Sequence, residues 1–198
     1  MDSSAPTSRL AMPHAPRARI QDSALIGTIL EHVGRSLDAI MGCDLGHSGL
    51  TVARERTRPA GKWTIHISFK LGFSQEDGRK LHGALLVPLP EAITMACFLL
   101  MMQDDAVASR RQELTLDPSL KDAMLEIGSL IGSAANTALA ALGAAGWSVY
   151  SDGCQGVRPD VRPAFPYEEG DELVVGRVTA RLAPFPPFEL ILMLPPIG

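Results

Sequence analysis

The chain is poor in residues that staple or ligate. Its three cysteines, Cys43, Cys97 and Cys154, are far apart, odd in number and without a C-x-x-C pair. That excludes a disulfide framework and a zinc ribbon, and a reducing cytoplasm is the expected compartment. The one tight ligand pair, Cys43 with His47, would need His66 or His82 to complete a metal set, and no second close pair accompanies it; no metal is expected. No G-x-x-x-x-G-K phosphate loop and no G-x-S-x-G elbow occurs. The longest apolar stretch, Ala92 to Met102, is too short to cross about 30 Å of hydrocarbon and reads as a buried helix. The first residues, MDSSAPTSRLAMPHAPRARI, hold no apolar run of signal-peptide length. Residues 1–19 are expected to be a flexible arm, with a mitochondrial transit peptide as the minor alternative. Basic residues are scattered, and the formal net charge is -4, so nucleic acid is not an expected partner.

What is present suits one core: 198 residues, 46% of them hydrophobic, predict a single domain over residues 20–198. Leu25, Ile29, Val33 and Leu37 recur in steps of four, which makes Ile20 to Met41 an amphipathic helix. A short strand is expected over Gly49 to Arg56. From Trp63 to Leu71 apolar and polar residues alternate, the period of a half-buried strand, with His66, like His82 in the next strand, solvent-facing or hydrogen-bonded. Ser74 to Gly78 forms a turn, and Leu81 to Val87 returns as the second arm of a hairpin. Pro90 suits a first helical turn, predicting a buried helix to about Gln103, its Met95, Leu99, Leu100, Met101 and Met102 forming core.

Asp117-Pro118 is a second helix start, with Asp117 as N-cap and a long helix running to about Leu142. Strands are expected near Trp147 to Ser151, Leu173 to Leu182 and Phe188 to Leu194. The C-terminal ones are candidate sheet edges, interrupted by Pro184, Pro186 and Pro187. No repeat of fixed period is visible. The order predicts an α/β (α+β) sandwich with a largely antiparallel sheet.

On a wheel of about 100° per residue, Leu120, Met124, Ile127, Ile131, Ala134, Ala138 and Leu142 share the inward side of the long helix. Asp122, Glu126, Ser129, Ser133 and Asn136 form a narrow stripe opposite. On geometry alone this stripe reads as a solvated face ahead of a binding face. Gly128 and Gly132, four apart, mark a close approach of another element rather than a ligand site.

The string from Lys121 to Ala134, KDAMLEIGSLIGSA, resembles the signature of the CheC/CheX chemotaxis phosphatases. In that family an acidic or Ser residue is followed by Glu four positions on and Asn three beyond, within a phrase like E-I-G-N-I-x-x-G. Asp122, Glu126, Gly128 and Gly132 match, and Ser129 stands where the family has Asn. A looser likeness in element order covers residues 20–198, and the flagellar switch components FliM, FliN and FliY share the superfamily. The resemblance implies a chain that binds a phosphorylated CheY-like receiver and hydrolyses its aspartyl phosphate. Glu126 would meet the receiver's active-site lysine and residue 129 would orient the attacking water. Glu126 and Ser129 are thus the expected catalytic residues, and Asp122, Glu126 and Ser133 the expected partner contacts. Weak turnover is expected because Ser replaces Asn. No cofactor of its own is implied, the Mg2+ being on the receiver. A monomer or homodimer is expected, and the alternative is a non-enzymatic interaction module akin to the flagellar switch components.

Overall fold

The computed structural model describes residues 20–42, 45–168 and 170–197. The expected arm, residues 1–19, and Cys43 lie outside them. Ten elements follow in order: α1 (Asp22–Met41), β1 (Leu45–Glu55), β2 (His66–Gln75), β3 (Lys80–Pro88), α2 (Leu89–Leu99), α3 (Asp104–Arg110), α4 (Pro118–Ala141), β4 (Trp147–Val157), β5 (Leu173–Leu182) and β6 (Phe188–Leu194). The strands make one sheet in the order β1-β5-β6-β3-β2-β4, with every neighbouring pair antiparallel. The architecture is the expected α+β sandwich.

The order conceals a two-fold repeat. Exchanging β1 with β4, β2 with β5 and β3 with β6 maps the sheet onto itself, so α1-β1-β2-β3 and α4-β4-β5-β6 are topological copies meeting at the β3–β6 pair. The halves interlock, since β1 pairs with β5 and β4 with β2. The edges are therefore β1 and β4. The expected C-terminal edge strands lie inside the sheet, and Pro184, Pro186 and Pro187 sit between β5 and β6.

One sheet face carries the helices. Leu25, Ile29, Val33 and Leu37 of α1, Met95 of α2 and Ile127 and Ile131 of α4 meet Phe69, Leu71 and Phe73 of β2 in the main core. The other face holds Ala84, Leu86, Val175, Ile191 and Met193 beneath Phe165. There the Arg58 guanidinium lies over Phe165 and Tyr167, 5.6 and 5.2 Å from their centroids. This second layer corrects the half-buried strand: the alternants His66 and Ser68 are themselves buried. His66 Nδ1 lies 2.8 Å from Thr64 O. His82 is mostly buried too, its Nδ1 3.6 Å from Asp152 Oδ2 with no hydrogen-bond partner among the described residues.

Several boundaries also differ from expectation. The glycines at 49 and 153 do not end strands; each takes a positive φ, 67° and 83°, at a register irregularity, and β1 and β4 continue past it. α2 stops at Leu99, where Met101 turns left-handed (φ 55°) and is exposed with Leu100, so neither belongs to the core. The short α3 follows. It brings Arg111 onto Glu91 (Nη2 to Oε1 2.6 Å), both side chains about one-tenth exposed, and onto the Phe185 ring at 4.1 Å.

Candidate functional site

The long helix begins as its sequence dictates. The Asp117 side chain accepts from Leu120 N at 2.9 Å, Pro118 opens the first turn, and Arg110 of α3 holds the other Asp117 oxygen. Leu120, Met124, Ile127, Ile131, Ala134 and Ala138 are buried, while Asp122, Glu126, Ser129, Ser133 and Asn136 are all exposed. The stripe of expected site residues thus lies on one open face of α4. From Asp122 to Ser129 it runs about 10 Å at 1.5 Å per residue.

Two glycines set how β4 sits beside this face. A Cβ on Gly132 would stand 2.7 Å from Ser151 N and 3.0 Å from Tyr150 C; one on Gly128 would meet only Ser151 Oγ at 3.1 Å and Phe69 at 3.5 Å. β4 therefore crosses the helix almost in backbone contact. Beside the crossing a shallow polar depression is lined by Ser129, Ser133, Asn136 and Tyr150. Towards the helix start a more apolar one is lined by Met124, Leu125, Leu116 and Cys154. Burial pushes the Cys154 thiol above its ordinary pKa, so it is a poor nucleophile.

The polar side chains of the stripe are not equivalent. Ser129 Oγ donates to Leu125 O of its own helix (3.1 Å). Asn136 Oδ1 accepts from Val149 N (2.9 Å), tying the helix to β4. That role is structural, and no sequence signal revealed it, because it depends on where β4 runs. Asn136→Ala should cost about 1 kcal/mol by leaving a part-buried N–H unpaired, read as a lower urea midpoint with an unchanged slope. Asp122 and Glu126 have no ion-pair partner among the described residues, although Lys121 stands beside them, exposed.

The topological copy of α4 lacks the arrangement. On α1 the exposed Glu31 is bound by Arg35 (3.2 Å), and Gly34 occupies the position three beyond it. The repeat is one of scaffold, with the acid-and-hydroxyl stripe confined to the second half. Among the described residues no group of His, Cys, Asp and Glu is placed to hold a metal, and no helix is long and apolar enough to cross a membrane.

No family model and no curated protein matches the chain. Solved structures do match over most of its length. FliY from Thermotoga maritima aligns with a TM-score of 0.64 at 14% identity, covering 87% of each chain. A chemotaxis protein CheX from Desulfovibrio desulfuricans aligns at 0.54 and 12%, covering 85% of this chain and 96% of that one. The FliG–FliM complex from H. pylori supplies a third match, at 0.59 and 11%, covering 88% and 90%.

Proposed function

On a chain with the CheC/CheX/FliY-type fold, we propose that the α4 stripe is the docking face for a phosphorylated receiver domain, with Asp122, Glu126 and Ser133 as contacts and Glu126 and Ser129 at the phosphoryl site. The observation that carries this reading is the joint exposure of Asp122, Glu126 and Ser129 on a helix face that the fold leaves open. Two carboxylates without ion partners suit a receiver's lysine. The fold itself accommodates both a phosphatase and a flagellar switch component, so the choice rests on this face.

The reaction is attack by water on the aspartyl phosphate. The new bond forms between the water oxygen and phosphorus, the bond to the aspartyl oxygen breaks, and carboxylate and inorganic phosphate separate. The receiver's own metal and lysine neutralise the transferring oxygens, so the docked chain contributes position alone. At 129 that contribution is weak. A serine hydroxyl reaches one atom less far than a carboxamide, and here its proton is given to Leu125 O. Binding with slow turnover is the outcome this geometry favours, and it is also how an interaction module would behave.

The test is Ser129→Asn, which places a carboxamide at the end of the stripe. Single-turnover loss of phosphate from a bound receiver should accelerate by about ten- to a hundredfold, and Ser129→Asn combined with Glu126→Ala should abolish the gain. If a receiver that binds loses phosphate no faster with Ser129→Asn than alone, the chain is an interaction module. If no phosphorylated receiver binds at all, the docking face is misassigned.

A further inference from the structure

Trp63 does not behave as a strand residue. It lies outside β2, is 94% exposed and has φ 71°. Thr64 N donates to Lys62 O at 2.9 Å, so Trp63 is the centre of a γ-turn in its positive-φ form, the rare and strained variant. A bulky residue with a side chain in that region is disfavoured, and strain of this kind persists where the surroundings hold it. The surroundings do so here. Asp160 N donates to Gly61 O at 2.9 Å, and Gly61 packs so closely on the His66 ring that an added Cβ would come within 2.4 Å of it. The loop is thus anchored at Gly61 before the indole, and Leu89 N donating to Ile65 O at 2.7 Å anchors it after.

The indole stands at a cleft of roughly 780 Å³ beside the second sheet face. Pro59, Pro88, Pro187 and Ile191 form its apolar wall, and buried His66 and Glu91 belong to its lining. Of the charges lining it, Glu91 is taken by Arg111 and Arg177 by Glu55. Asp160, Glu189 and Lys62 have no ion-pair partner among the described residues, two acids against one base. Burial holds His66 below its ordinary pKa, against the opposing pull of the Thr64 carbonyl and then of Glu189 and Glu91, so the ring is neutral at neutral pH.

We propose that the Trp63 cleft is a second docking site, separate from α4, that takes a basic side chain of a protein partner, its planar guanidinium stacked on the indole with Glu189 as counter-charge. A guanidinium fits a flat aromatic face next to a carboxylate better than an ammonium does, because it stacks and hydrogen-bonds at once. Among the described residues lining the cleft, an anionic ligand would face two unpaired carboxylates against one unpaired base, Lys62.

The experiment is calorimetric titration of the chain with an end-blocked glycine peptide bearing one central arginine, and with the same peptide bearing citrulline, which keeps the shape and removes the charge. The arginine peptide should bind saturably, and citrulline about tenfold more weakly. Trp63→Gly should abolish the binding while keeping or raising the melting temperature, since it relieves the left-handed strain. Glu189→Lys should also abolish it, and Glu126→Lys should leave it unchanged. Equal binding of the two peptides, retained affinity in Trp63→Gly, or no saturable binding would overturn the proposal. None of these results bears on the α4 reading, which stands or falls with Glu126.

Discussion

Ile127→Asp is expected to unfold the chain, while Glu126→Lys at the adjacent position leaves it folded. Ile127 is fully buried among the helices and β2, and Glu126 is exposed. An aspartate at 127 forfeits the transfer of an isoleucine side chain, roughly 2 kcal/mol, and adds a carboxylate with no partner, a further several kcal/mol unless it takes a proton. The total exceeds about 4 kcal/mol, comparable with the whole stability of an ordinary domain. Far-UV circular dichroism on heating and the spread of amide resonances would both report the loss. Glu126→Lys should stay within about 0.5 kcal/mol of the natural chain and yet lose receiver affinity. A folded Ile127→Asp protein with an unshifted transition would mean that the faces of α4 are reversed.

The next largest effect is expected at a methyl group. Gly132→Ala places a Cβ 2.7 Å from Ser151 N, an atom of a strand that cannot rotate away as a side chain can. Either α4 or β4 must move, and the loss should be about 3 kcal/mol, seen as a melting temperature lower by about 6–12 °C. Gly128→Ala is the control. Its nearest neighbour is the Ser151 hydroxyl at 3.1 Å, which can turn aside, and an alanine gains about 1 kcal/mol in helix propensity over glycine. That variant should be near neutral. Equal losses at the two positions would show that helix packing in general, and not the β4 crossing, sets the requirement for glycine.

Helix α4 was the most legible part of the sequence. Its period, its Asp117-Pro118 start and its paired glycines are local signals, and local signals survive folding. β5 and β6 were legible for the same reason, as apolar runs between prolines and glycines. What escaped depends on residues distant in sequence. The edges could not be read, because β1 joins β5 and β4 joins β2 across the repeat. The alternation makes Ser68 solvent-facing and His66 solvent-facing or hydrogen-bonded; the hydrogen bond is present, but the burial of both was not legible, because the Phe165 layer that helps cover that face comes about a hundred residues later. Asn136 looked like one more stripe residue until β4 was placed against it. Trp63 continued the alternation of β2 so regularly that nothing local marked it as the residue that breaks it. Within the candidate site, the departure at Ser129 was visible in sequence, but its bond to Leu125 O was not.

The exchange of first strands between the two halves has a consequence for how the chain is made. Thr51 and Arg177, 126 residues apart, belong to the same ladder. While the ribosome is still extending the chain, β1 waits without its neighbour through the synthesis of nearly everything between them. At about 5–20 residues per second, that is a delay of many seconds during which an eleven-residue strand shows an open hydrogen-bonding edge. Contacts so remote in sequence also slow the final collapse. A nascent chain of this kind needs protection during translation, by a chaperone or by reluctance of the strand itself to aggregate. The exposed run of β1 from His47 to Thr51, with exposed Arg54 beyond it and the kink at Gly49, is the sort of polar, bent edge that resists sticking to a second copy.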